Sequence, residues 1–340
     1  MAKAVCFGEI MLCLNPEGYY RFAQADKFEA SYAGGEANVA VSLANYGDDA
    51  SFVTKLPDND LGQNAINALR QFGVDTKKIV KGGPRLGIYF VKKGASQRPS
   101  KVIYDRAGSS IALAKKEDFD WEKIFEGVDW FHFTGITPAL GGENPEICLE
   151  ACKQAKAMGV KISCDLNYRK KLWSREEAGA VMEKLMPYVD VCIANEEDAA
   201  DVFGIHAEGT DINTGKISRE GYMGVAEKLA SRFGLEYVAI TLRGSISATQ
   251  NKWAGMLYKD GQAYFSPEYL IHIVDRVGGG DSFGGGLIHA LSNGFEPQKA
   301  INFAVAASCL KHTIEHDFNL VTEAEVLSLA GGNASGRVQR

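Results

Sequence analysis

Val160-Lys161-Ile162-Ser163-Cys164-Asp165-Leu166 is followed, after a polar connection, by residues 174–186 and then by Val189-Asp190-Val191-Cys192-Ile193-Ala194. The outer runs are short and rich in β-branched residues, as buried strands are. The middle run has apolar residues at helical spacing, with Ser174 placed as N-cap and Glu177 at the capping-box position. Strand, helix and strand in this order imply two parallel strands joined by a right-handed crossover. The pattern continues outward in both directions, with strands expected at 129–133 and 237–242 and helices at 145–158 and 219–233. The C-terminal two thirds therefore read as an α/β fold with a mostly parallel sheet.

The first hundred residues are organised differently. Residues 37–46 pair Val39 with Leu43 and Ala40 with Ala44, and Gly47 falls where a helix C-cap belongs. Around this helix, residues 16–32 and 86–104 read as short alternating strands with Gly and Pro punctuation, as in Gly87-Ile88-Tyr89-Phe90-Val91. We expect them to form a small β-sheet standing off the main body, built from about residues 14–34 and 85–110. No repeat or linker-like stretch divides the chain, so residues 1–330 read as one domain. Residues 331–340, beginning Gly331-Gly332-Asn333-Ala334-Ser335-Gly336, have no core-forming side chains and read as a disordered tail.

Composition allows a large core: of 340 residues, 46% are hydrophobic and 24% charged. A net charge of -6 with dispersed basic residues argues against nucleic acid as a partner, so any anionic ligand must be held locally. The start, Met1 to Phe7, is interrupted by Gly8-Glu9 too early for a secretory signal, and no run of about 18 apolar residues is present. A cytoplasmic location with no membrane partner is the expectation. Seven cysteines lie mostly in apolar runs, which suits buried reduced thiols, and Cys148 and Cys152 share a helix face without forming a Cys-x-x-Cys pair.

Two nucleotide motifs are missing: there is no Gly-x-x-x-x-Gly-Lys-Ser/Thr, and no Gly-x-Gly-x-x-Gly after the first strand. His312-Thr313-Ile314-Glu315-His316 matches the inverted zinc-peptidase pattern, with both histidines expected on one helical face. The pattern is short and little chain follows it to supply another ligand, so we read it as coincidental.

The stretch that points to chemistry is Asp275-Arg276-Val277-Gly278-Gly279-Gly280-Asp281-Ser282-Phe283. Glycines at a helix start let backbone N–H groups close round an anion, favoured there by the helix dipole. A carboxylate in that place repels a bound phosphate unless it has a task, and the economical task is to take the proton of a hydroxyl attacking the phosphate. Asp281 is thus a candidate general base and the protein a candidate phosphotransferase.

With these residues in view, the chain resembles the ribokinase-like carbohydrate kinases (the PfkB family) over nearly its whole length. Two signatures carry the resemblance, Ala33-Gly34-Gly35-Glu36-Ala37-Asn38-Val39-Ala40 and Asp275 to Gly286, in the family's order. It implies a three-layer α/β/α fold with a mostly parallel central sheet, a small β-lid over the sugar, ATP as phosphoryl donor and Mg2+. By position, Asp281 is the base and the amides of Gly278, Gly279 and Gly280 form the anion hole. Asn195 and Asp198 correspond to the family's Asn-x-x-Glu motif, which orders magnesium and phosphate through water; Asp198 is one methylene shorter. Thr241-Leu242-Arg243-Gly244 resembles the nucleotide loop, with Arg243 in place of a glycine and facing either phosphates or solvent. Arg276 replaces a small residue beside the monovalent-cation site of many relatives, which leaves a monovalent cation an open question.

Substrate choice rests on arginines. Tyr104-Asp105-Arg106-Ala107-Gly108-Ser109 and the segment Asp165 to Trp173 resemble segments of the family's 2-keto-3-deoxygluconate kinases, and so do Gly8 to Leu12 and Leu310-Lys311-His312-Thr313. Fructokinases and ribokinases usually carry an aspartate near position 13, where this chain has Cys13. A sugar acid needs its carboxylate neutralised, and planar bidentate guanidinium groups match that need. The resemblance therefore assigns Arg106 and Arg169 to the acid end of the substrate, with Asp317 and Tyr104 in the same site. Tyr89 and Asn38 with Gly34 and Gly35 go to the sugar hydroxyls, and Asn167 lies nearer the phosphates. A neutral-ketose kinase such as a fructokinase and a non-catalytic sugar sensor remain the alternatives. An exposed lid edge offers a surface for a homo-oligomer.

Overall fold

Alternation along one strand sets the layering. In the computed structural model, which describes residues 1–195, 197–207, 218–333 and 336, β1 (Lys3–Phe7) turns Ala4 and Cys6 into one apolar cluster and Val5 and Phe7 into another. Successive side chains on a strand point to opposite faces, so a strand covered on both sides needs apolar residues throughout. β1 lies between β4 (Asp49–Val53) and β9 (Trp130–Thr134), and β10 (Lys161–Asp165), β11 (Val191–Ala194) and β12 (Tyr237–Ser245) continue the parallel array. β13 (Gln250–Lys259) runs antiparallel to β12 and carries β14 (Gln262–Phe265) and β15 (Tyr269–His272), completing nine strands.

One face of this sheet is covered by α1 (Gly35–Asn45), α2 (Asp60–Arg70), α9 (Gly279–Ser292), α10 (Pro297–Lys311) and α11 (Glu323–Ala330). The other carries α3 (Trp121–Ile124), α4 (Ile136–Ala139), α5 (Asn144–Ala157), α6 (Arg175–Leu185), α7 (Asp198–Phe203) and α8 (Arg219–Phe233). This is the three-layer α/β/α arrangement. Ser174 and Glu177 form the expected capping box at the start of α6. All seven cysteines are buried and free, and no described helix is long and apolar enough to cross a membrane.

A four-stranded sheet stands beside the main one in the order β3 (Glu29–Ala33), β2 (Met11–Asn15), β7 (Ile88–Lys92), β8 (Lys101–Asp105). A small parallel pair, β5 (Lys55–Leu56) with β6 (Val80–Lys81), completes the strands. The small sheet starts earlier than expected. Its first strand is Met11–Asn15, whereas residues 16–28 hold only a short 3-10 turn at Phe22–Gln24. The reason is alternation: Met11 and Cys13 join Ala33, Tyr89 and Val91 in a buried cluster on the inner face, while Tyr19, Tyr20 and Phe28 stay exposed. β12 also runs past its expected end at Leu242, because β13 continues the ladder as far as Ser245 opposite Asn251.

The chain passes from β1 to β4 on one side and then to β9 on the other. Such a reversal leaves a crevice at the carboxyl ends of the strands, where ligands bind in open α/β sheets. The tail expectation falls largely outside the described residues, since residues 334, 335 and 337–340 are not among them; Gly331 and Gly332 form a turn after α11.

Candidate active site

The crevice is a cleft of about 510 Å³ between the main sheet and the small one. It is lined by all but one of the site residues expected from the sequence. The exception is Gly244, which sits on β12 against the Lys252 side chain.

The start of α9 forms its floor. Gly278 has a φ of +79°, and a Cβ there would lie 2.1 Å from the Asp317 carbonyl oxygen, so only glycine fits. Gly280 is exposed with open space before it. The Gly279 amide closes a turn on the Arg276 carbonyl at 3.3 Å, leaving Gly278 and Gly280 as the less encumbered members of the expected anion hole. Asp281 accepts a hydrogen bond from Asn38 Nδ2 at 2.6 Å, across the junction of α9 and α1. Burial raises the Asp281 pKa, and the Asn38 hydrogen bond, Arg169 and Lys311 oppose that rise.

Asn38 is itself fixed. Its backbone N–H donates to the Gly34 carbonyl at 2.8 Å, and a Cβ on Gly34 would meet the Glu9 carbonyl oxygen at 1.8 Å. One residue into α1, the buried Glu36 accepts from the Thr134 amide at 3.0 Å and from the Thr134 and Thr137 hydroxyls, each at 2.7 Å. Burial lifts its pKa to about 6 despite these bonds. Glu36 thereby ties α1 to the end of β9, a role that its place inside the first signature did not reveal.

On the small-sheet side, Tyr89 donates its hydroxyl to Asp317 Oδ2 at 2.9 Å, and burial pushes the Asp317 pKa up to about 7. The Tyr104 ring stacks on Tyr89 at 5.9 Å, and the Arg106 guanidinium lies 5.2 Å over Tyr104. Arg106 is not a free surface cation: it is buried, and its Nε and Nη2 both donate to Glu9, which also accepts from the Ser109 hydroxyl at 2.7 Å. Arg169 is exposed at the cleft, with Nη1 donating to the Tyr168 carbonyl at 3.2 Å.

Acidic groups gather at the other end. Asp198, almost fully buried, accepts from the Tyr168 amide at 3.1 Å and the Asn195 amide at 2.9 Å, and its pKa rises through burial. Asp165, at the end of β10, is raised well above the usual carboxylate range by burial and by the nearby Asp198 and Asp281. Asn167 follows with a φ of +40°, a left-handed conformation that asparagine tolerates better than most side chains. Glu196, between Asn195 and Asp198, lies outside the described residues. Thr241 and Arg243 line the cleft from β12, and the Arg276 guanidinium reaches the Ala248 carbonyl at 3.3 Å. Asp165 and Glu9 were visible only as members of matched segments, with no local pattern assigning them a task.

The histidine pattern fails on geometry. α10 ends at Lys311 and His316 has a φ of +64°, so the two histidines do not share a helical face. His312 is buried beside the Ser308 carbonyl oxygen, Nδ1 at 2.7 Å, its pKa lowered to about 4 by burial, and Glu315 pairs with Lys93.

A family model described as pfkB family carbohydrate kinase matches residues 1–315. The chain is 33% identical to the 2-dehydro-3-deoxygalactonokinase of Haloferax volcanii, over 98% of each. It is 27% identical to the 2-dehydro-3-deoxygluconokinase of Thermoproteus tenax, over 91% of this chain and 88% of that one. Among solved structures it matches the 2-dehydro-3-deoxygluconokinase of Thermotoga maritima with a TM-score of 0.94 and 55% identity, over 98% of this chain and 100% of that one.

Proposed function

This chain belongs to the pfkB family of carbohydrate kinases, and we propose that it phosphorylates a hydroxyl of 2-keto-3-deoxygluconate, the terminal one, with ATP as donor. The observation that carries the reading is a single cleft holding Asp281 at a glycine-rich helix start and two arginines, Arg106 and Arg169, beside it. Relatives named for deoxygluconate and deoxygalactonate kinases support the acid-sugar choice.

Asp281 takes the proton as the sugar oxygen attacks in line, and the Asn38 amide holds its carboxylate in place. The amides of Gly278 and Gly280, fixed at the start of α9, are the donors we assign to the charge that builds on the phosphoryl oxygens, where fixed donors need little reorganisation. Arg169 meets the sugar carboxylate, and Arg106, backed by Glu9, presents a fixed guanidinium edge to it. The small sheet with Tyr89 and Tyr104 covers the sugar end and excludes water that competes as acceptor.

Magnesium fits this donor set. Among the described residues no three acidic side chains form a direct metal cluster, and because backbone amides already occupy both Asp198 oxygens, Asp198 and Asn195 suit contact through water. When bound, the ion neutralises phosphate charge during transfer. We assign Thr241 and Arg243, which line the cleft from β12, to the nucleotide phosphates. The exposed edge of β8 with Ile103 supports self-association, which sedimentation velocity would detect. A cytoplasmic setting accords with the buried free thiols.

The decisive experiment compares ATP turnover on 2-keto-3-deoxygluconate, its galactonate epimer, fructose and ribose. We expect the two acid sugars to show the highest kcat/KM. A higher value for fructose would overturn the acid-sugar assignment.

A further inference from the structure

Lys311 is the last residue of α10, and none of it is exposed. Its Nζ donates to the Ile314 carbonyl at 3.3 Å, and the carboxylates of Asp275, Asp281 and Asp317 are the negative charges that act on it. Burying an ammonium costs several kcal/mol unless its surroundings compensate. A position needing only volume would be served by methionine or leucine. Burial lowers the Lys311 pKa, and the Ile314 carbonyl and the three aspartates are what offset that cost and favour the charged form.

The surroundings say what the charge is for. The turn after Lys311 is bound to the segment leading into α9: the Val274 amide donates to the His312 carbonyl at 2.8 Å and the His316 amide to Asp275 Oδ2 at 3.3 Å. The Ser308 hydroxyl donates to the Gly279 carbonyl at 2.6 Å, and Gly278 abuts the Asp317 carbonyl. The ammonium thus sits in the joint between the end of α10 and the glycine start of α9. There Asp275 and Asp281, with Asp317 once it ionises, act on the ammonium beside the place where an anionic phosphoryl group must be held, and negative charge gathered in this way calls for a cation.

A mobile monovalent ion is one way to supply it, and the family resemblance puts such an ion beside residue 276. The residues present do not fit one. Lys311 already places a positive charge on the Ile314 carbonyl of this joint and in the field of its aspartates, Lys93 Nζ lies 3.6 Å from Asp275, and the Arg276 guanidinium stands next in sequence. We propose that Lys311 is a tethered cation, a positioning residue that holds the joint and the anion site in place of a bound potassium ion, so that the enzyme needs no monovalent cation.

The test compares wild type, Lys311→Ala and Lys311→Met in choline, sodium and potassium chloride, by sugar-kinase turnover and by thermal melting without ligand. The turnover arm rests on the kinase reading above; the melting arm does not, so failure of the substrate assignment leaves it standing. Wild type should turn over and melt alike in all three salts. Lys311→Ala should lose on the order of 10²-fold in turnover in choline, regain most of it with potassium or ammonium, and melt higher in potassium. Lys311→Met, with the space filled and the charge gone, should fold and stay inactive in every salt. Saturable potassium activation of wild type overturns the proposal whether or not the variants fold. Full activity of either variant in choline, or a folded alanine variant that no cation rescues, overturns it equally.

Discussion

Asp281 and Arg169 divide the proposed chemistry between them. Asp281 faces the glycine start of α9 with Asn38 as its hydrogen-bond donor at 2.6 Å, so an amide in its place keeps the shape but cannot accept a proton. Asp281→Asn should lower kcat by on the order of 10²- to 10⁴-fold, with nucleotide affinity by calorimetry little changed; near-normal turnover would remove Asp281 as the base. The two arginines should not respond alike. Arg169 is exposed and Arg106 is buried against Glu9. Arg169→Ala should raise KM for the acid sugar well above any change for a neutral one while leaving the melting temperature nearly fixed. Arg106→Ala strands the buried Glu9 carboxylate and should also destabilise the fold, by about 3–5 kcal/mol. Denaturant titration separates the two cases.

At the scale of elements, the site depends on how closely two helices meet. A Cβ on Gly285, one turn beyond Asp281 on α9, would lie 2.7 Å from the Ser42 Cβ on α1. That close approach lets Asn38 and Asp281 share a hydrogen bond across the two helices. Gly285→Ala should force them apart, costing about 1–3 kcal/mol as an overpacked core does and lowering kcat more than it raises KM. A variant with normal kcat would show that the Asn38 contact does not depend on this packing. The strand and helix alternation from 129 to 242 was legible in the sequence because each element is covered by apolar neighbours in its own period. The start of the small sheet was harder to read. Met11 and Cys13 look like a continuation of β1 until Gly8 and Glu9 are seen to turn the chain, and the helical spacing of His312 and His316 misleads because α10 stops at Lys311.

For the whole molecule, buried acids tie stability to pH. Burial holds Asp317 protonated up to about 7 and Glu36 up to about 6, against ordinary values of 3.8 and 4.5. Between those limits the folded state binds protons that the unfolded chain has released, so stability falls as pH rises from about 4 to about 7. Asp317→Asn removes one such group and should flatten the decline of melting temperature across that window, where each titrating group contributes up to about 1.4 kcal/mol per pH unit. Parallel curves for the two proteins would show that Asp317 is ionised throughout.

By itself the sequence determined the alternation of strand and helix and hence the parallel sheet, because hydrophobic period is a local property that decides which face each element buries. It also determined the glycine-aspartate start of α9, since backbone freedom and a carboxylate are written in consecutive residues. Only the tertiary structure decided how Glu9 holds Arg106, how Glu36 anchors α1, and that Lys311 is buried with its ammonium on the Ile314 carbonyl. Those pairings join residues that chain position does not connect, and the energy of a buried charge depends on its neighbours in space.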